Sequence, residues 1–89
     1  IADAEQRAAA VRAEAQKLAD GVRREGAAKA DSLVARAANP IAKAAARPVA
    51  DRLKKEANDR ADQIVREADK RANDLVAEAR KQAALLTER

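Results

Sequence analysis

Ala61-Asp62-Gln63-Ile64-Val65-Arg66-Glu67-Ala68 and Ala72-Asn73-Asp74-Leu75-Val76-Ala77-Glu78-Ala79 are one phrase written twice, eleven residues apart. The phrase occurs one step earlier at Ala50-Asp51-Arg52-Leu53-Lys54-Lys55-Glu56-Ala57, and a partial copy opens at Ala83 with Leu86. The first half of the chain repeats it from Ala8, Ala19 and Ala30, with Val11, Val22 and Leu33 in the large-residue slot. Eleven residues make three helical turns at about 3.67 per turn, slightly slack of 3.6. A seam of this period stays on one face only if helices wind right-handedly about one another. The repeat therefore predicts an all-α chain of long helices with a hendecad, right-handed coiled-coil seam.

With the eleven positions labelled a to k, position a is Ala8, Ala19, Ala30, Ala50, Ala61, Ala72 and Ala83. Position d is Val11, Val22, Leu33, Leu53, Ile64, Leu75 and Leu86, and position h is Ala4, Ala15, Gly26, Ala37, Ala57, Ala68 and Ala79. Position e is mixed: Arg12, Arg23, Val34, Lys54, Val65, Val76 and Thr87. On a helix these four positions form one continuous stripe and the others are mainly polar, so the a, d and h residues other than Ala4 and Ala50, together with Val34, Val65 and Val76, form the expected oligomer seam. Ala at a and h lets backbones approach closely, and the d layers supply most of the driving force. Arg12, Arg23 and Lys54 are expected to lay their stems along the seam with the charges in water; the alternative is buried cations that set partner or register. Gly26 reads either as a point of very close approach or as a helix weakened by about 1 kcal/mol.

Composition supports helices over a globular core. Eighty-nine residues make at most one domain. Only fifteen side chains are large and aliphatic and none is aromatic, a level at which disorder competes. Against disorder stand a net charge of only +4 in a chain that is 38% charged and 27 alanines, the best helix former. The absence of Cys and His removes disulfides, thiolate chemistry and the usual zinc ligands and near-neutral proton shuttle. Ser32 and Thr87 are the only hydroxyl residues. Neither a signal peptide nor an 18-residue apolar span is apparent. The chain starts at Ile1 without Met and stops in mid-repeat at Arg89, which reads as a fragment of something longer.

The register breaks once. From Ala30 to Ala50 is 20 residues where the repeat demands 22, and this stretch holds Pro40 and Pro48. Asn39-Pro40 reads as an N-cap followed by Pro at the first helical position. Pro48 is expected to kink or restart the helix, because its ring displaces a backbone hydrogen bond. The expected organisation is thus a first arm over 1–38, a Pro-bounded joint over 39–48 (Asn39, Pro40, Pro48) and a second arm over 49–89. Arms of nearly equal length, a central break and a seam that changes face favour an antiparallel helical hairpin. Two such hairpins would pair into a four-helix bundle. The alternative is a kinked rod of about 130 Å whose halves pair with other chains.

Acid-before-base pairs at i,i+4 recur along both arms, among them Asp3–Arg7, Asp20–Arg24, Glu25–Lys29, Asp62–Arg66 and Glu67–Arg71. Each contributes about 0.2–0.5 kcal/mol, which favours helix and solubility without fixing a tertiary fold. Between Asp31 and Asp51 there is no acid, only Arg36, Lys43 and Arg47, so the joint is locally basic.

The run Ala61 to Arg80 resembles the peripheral-stalk helices of rotary ATPases, with their Ala-rich eleven-residue repeats, and more broadly the hendecad stalks of bacterial proteins. It is similar also to the eleven-residue repeats of late-embryogenesis-abundant proteins and exchangeable apolipoproteins. The resemblance is one of periodicity; it covers both arms and stops at the Asn39-Pro40…Pro48 interruption. It implies a stalk-like architecture and carries over no functional residue. The reading is a non-catalytic oligomerisation and spacer coiled coil. No catalytic, cofactor or metal residue is assigned, and no small-molecule substrate is expected. The expected partner is a homo-oligomer, either a dimer of hairpins or a tetramer of helices. The alternative function is a lipid-surface amphipathic stripe, disfavoured because Ala makes the face shallow and no Trp or Phe anchors it. Nucleic acid is disfavoured because charges alternate and no aromatic can stack on bases. The sequence assigns no compartment.

Overall fold

In the computed structural model the chain is two helices and a short link, α1 over Ala2–Ala35 and α2 over Pro40–Thr87. The structure describes residues 1–87; the end of the expected second arm, residues 88–89, lies outside the described residues. The helices pack along each other in an antiparallel hairpin with Cα extents of 75 × 15 × 7 Å. The length is that of α2 alone, about 72 Å at 1.5 Å per residue. The extended rod is therefore not the form adopted.

Both helices begin, and α1 ends, for local reasons. Asp3 and Glu5 lie in the first turn of α1, where carboxylates complement the positive end of the helix dipole. At its other end Arg36 keeps helical dihedrals (φ −79°, ψ −10°) and its N–H donates to Ser32 O at 3.0 Å. The Ala37 N–H then donates to Val34 O at 3.2 Å, tightening the last turn. Pro40 keeps the preceding Asn39 out of the helical region, which stops further propagation. Asn39 caps α2 as its position predicts: its Oδ1 accepts the Ala42 N–H at 2.8 Å, and its carbonyl accepts the Lys43 N–H at 2.9 Å.

The joint is shorter than the sequence suggests. It comprises residues 36–39, and Pro48 lies inside α2, which neither stops nor restarts there. Pro48 removes one hydrogen bond to the Ala44 carbonyl. A break would instead leave a full set of unpaired N–H and C=O groups at two new helix ends. The phase of the helix is unchanged across it: Ala42, Ala46 and Ala50 follow one another at i,i+4 on the covered side, while Pro48 is exposed. The repeat of the second half thus extends back to Asn39, and the two-residue phase change falls in the link.

The arms are consequently unequal, 34 and 48 residues. Asp31 is level with Lys54 through a 3.3 Å ion pair, so Ala35 ends α1 about level with Ala50. The first ten residues of α2, nearly three turns, therefore project beyond α1 by about 15 Å. The four link residues, able to reach about 14 Å, run back along them.

Candidate interaction faces of the hairpin

The buried core consists of eight alanines: Ala8, Ala19 and Ala30 in α1, and Ala50, Ala57, Ala61, Ala68 and Ala72 in α2. Six are a residues and two are h residues, so the line of closest approach is the small-residue line of the repeat. Ala15, Gly26, Ala37, Ala79 and Ala83 are half-buried on the same line. Gly26 is the tightest point. A Cβ built there would collide with Ala57 Cβ and would stand 3.7 Å from Ala57 Cα and from Leu53 O. The close-approach reading of Gly26 is the one the geometry supports.

The d and e residues flank this line on opposite sides, because they lie about 100° apart around the helix. An antiparallel partner keeps each set on its own face. On one face the e residues meet Asp or Asn at position b of the other arm. Arg23 Nη2 lies 2.8 Å from Asp62 Oδ1, and Lys54 Nζ lies 3.3 Å from Asp31 Oδ1. Arg12 donates to Asn73 Oδ1 at 2.6 Å and sits 3.5 Å from Asp69. A step of eleven from Arg12 to Arg23 is matched by a step of eleven back from Asn73 to Asp62, so the repeats of the two arms run in one antiparallel register. Arg12, Arg23 and Lys54 are neither buried nor merely solvated: their side chains are 34–46% exposed and each is held across the arms. Sequence reading missed these partners. The signal was present as a column of Asp and Asn at position b (Asp20, Asp31, Asp51, Asp62, Asn73), but only antiparallel arms bring it opposite position e.

The other face carries the d residues. Val11, Val22, Leu53, Ile64 and Leu75 are half-buried, Leu33 is exposed, and Leu86 is 71% exposed. The register sets Val11 about level with Leu75, Val22 with Ile64 and Leu33 with Leu53. An open groove on this face is lined by Val11, Ala15 and Leu18 of α1 and by Ile64 and Ala68 of α2, with Glu14, Glu67 and Arg71 at its rim. Leu18, 59% exposed and outside the expected seam, enlarges the apolar surface. Val34, Val65 and Val76 are half-buried on the e side.

Among the described residues there is no group of three or more carboxylate, His or Cys side chains able to hold a metal ion, and no polar or charged residue is buried. Among the described residues no helix is long and apolar enough to cross a membrane. What the chain presents is two long surfaces, one closed by cross-arm ion pairs and one an open aliphatic ridge. Comparison with protein-family models, with curated proteins and with solved structures finds no match to this chain.

Proposed function

We propose that the hairpin is a structural module, without catalytic activity, that joins copies of itself and acts as a rigid spacer. One observation carries the reading: among the described residues the buried side chains are all alanines, while the aliphatic d residues form a partly wet ridge on one face. Covering a methyl contributes about 0.8 kcal/mol, whereas fully covering a Val, Leu or Ile contributes about 1.5–3 kcal/mol. No described large aliphatic side chain is completely covered in a single hairpin, and Leu18, Leu33 and Leu86 are exposed, so further apolar burial is open to the ridge. A second copy laid ridge to ridge dries Val11, Val22, Leu33, Leu53, Ile64 and Leu75 at once and gives a four-helix bundle. The eleven-residue period favours right-handed winding in that bundle. Glu14, Glu67 and Arg71 beside the ridge give each copy both signs of charge at the rim of the contact.

Molar mass by sedimentation equilibrium tests the proposal. Twice the chain mass is expected, with helicity rising with concentration as the dimer forms. A fully helical species of single-chain mass throughout the micromolar range would rule it out.

A further inference from the structure

The chain's positive charge is concentrated at the closed end of the hairpin. Setting aside Arg36, Lys43 and Arg47 leaves sixteen Lys and Arg against fifteen Asp and Glu, so the arms are close to neutral. The three cations lie on the link and on the part of α2 that projects past α1, in the stretch between Asp31 and Asp51 that has no acid. Among the described residues no ion pair holds any of them. Arg47 also borders a groove shared with Asp31 and Asp51, which offsets part of its charge; Arg36 and Lys43 are the freer pair. Ile41 stands between them in sequence, in the first turn of α2, and at 83% exposed it is the most exposed large hydrophobic residue described.

We propose that this tip docks end-on to an anionic lipid bilayer, with Ile41 entering the interfacial layer and Arg36 and Lys43 engaging headgroup phosphates and carboxylates. Arg47 adds a smaller share. The positive end of the α2 dipole points the same way. Cations alone would suit any polyanion, but Ile41 separates the candidates: a bilayer interface rewards its burial, whereas a nucleic acid backbone does not. The chain also has no aromatic residue on which bases could stack. Each Lys or Arg near an anionic leaflet strengthens binding about fivefold, so Arg36 and Lys43 give about twenty-five-fold over an uncharged tip and Arg47 raises this to at most about a hundredfold. Charges on the arms lie beyond the Debye length of about 8 Å and add little when the hairpin stands on its end.

Flotation with phosphatidylcholine vesicles, with and without about a third phosphatidylserine, tests this. Binding is expected only with phosphatidylserine and should weaken as salt rises. Substituting Arg36→Ala, Lys43→Ala and Arg47→Ala together should lower partitioning between about twenty-five-fold and about a hundredfold, and Ile41→Ser alone about tenfold. Arg66→Ala, Lys70→Ala and Arg80→Ala remove the same charge from exposed positions on the α2 arm and should leave partitioning within about twofold. Circular dichroism establishes that each variant keeps its helices. Equal loss in both triple variants would overturn tip docking. So would loss in Ile64→Asp with retention in the tip variant, tighter binding to a DNA duplex than to vesicles at the same salt, or no vesicle binding at all. The tip variants leave the d ridge intact, so their molar mass stays that of the parent and the oligomer proposal stands or falls separately.

Discussion

Gly26 stands so close to Ala57 that a methyl group at position 26 would occupy the space of the Ala57 side chain. The second glycine, Gly21, has nothing within 4 Å of where its Cβ would be. Replacing either by Ala gains about 1 kcal/mol of helix propensity. At Gly21 that gain is unopposed, so Gly21→Ala should stabilise by about 1 kcal/mol. At Gly26 overpacking costs about 1–3 kcal/mol and exceeds the gain, so Gly26→Ala should be net destabilising. Ala57→Gly should restore part of the loss by vacating the contested space. Urea melts of the three variants check this; equal stabilisation by both glycine substitutions would mean that the arms do not meet at Gly26.

The Arg23–Asp62 pair lies on the exposed e–b face, with side chains 34% and 53% accessible. Solvent screening limits such a pair to about 0.2–1 kcal/mol. A double-mutant cycle should find a coupling in that range that shrinks with salt. The larger consequence is register. A slip smaller than one repeat takes Arg12, Arg23 and Lys54 off the b column of the other arm altogether, whereas a slip of one whole unit in one direction only exchanges their partners for Asp62, Asp51 and Asp20. Reversing Arg23 and Asp62 individually should weaken the register, and reversing both should restore it. Distances between spin labels at Val11 and Leu75 report the outcome: short in the parent and in the double reversal, and broadened in the single ones.

The small-residue line could be read from the chain because it depends only on period. Once Ala8, Ala19 and Ala30 share a phase, their burial follows from any partner on that side, and the structure buries all three. Asn39 was equally legible, since capping is decided within four residues. The restart expected at Pro48 does not occur, because a proline in a helix interior costs one backbone hydrogen bond, whereas two new helix ends would leave several groups unpaired. The e–b pairs, by contrast, were hidden. Arg12 and Asn73 are far apart in sequence, and nothing near either residue announces the other. Even the expected along-helix pairs are redistributed by this. Asp3–Arg7 forms at 3.3 Å, but Asp62 is engaged across the arms by Arg23, and Arg24 donates to the Asp20 backbone carbonyl.

Pro48 is a removable cost. Its ring deprives the Ala44 carbonyl of a partner in a helix that otherwise continues from Pro40 to Thr87. Pro48→Ala should stabilise the tip by up to about 3 kcal/mol, seen as slower amide exchange over residues 41–47. Asn39→Ala should act the other way, costing about 1 kcal/mol through loss of the 2.8 Å cap to Ala42. A destabilised Pro48→Ala would mean that the tip depends on the shape the ring imposes.

Ile64 and Arg66 separate the two faces of the proposed assembly. Ile64 lines the open groove with Val11 and Leu18, half-buried in a single hairpin, while Arg66 is exposed away from it. An aspartate at 64 puts a charge on the ridge. In a lone hairpin that charge reaches water and costs little, because the alanine line beneath it is intact. In a ridge-to-ridge dimer the same charge is enclosed without a partner and costs several kcal/mol. Ile64→Asp should therefore halve the molar mass and remove most of the helicity that depends on association, whereas Arg66→Asp should change neither. Intermediate behaviour is also informative about the core. If Ile64→Asp gives a monomer that stays helical at low temperature, the alanine seam suffices to close the hairpin. The ridge then serves association alone. If helicity is lost with the dimer, closing of the arms and joining of the copies are one transition. A dimer that survives Ile64→Asp unchanged would place the contact on some other face.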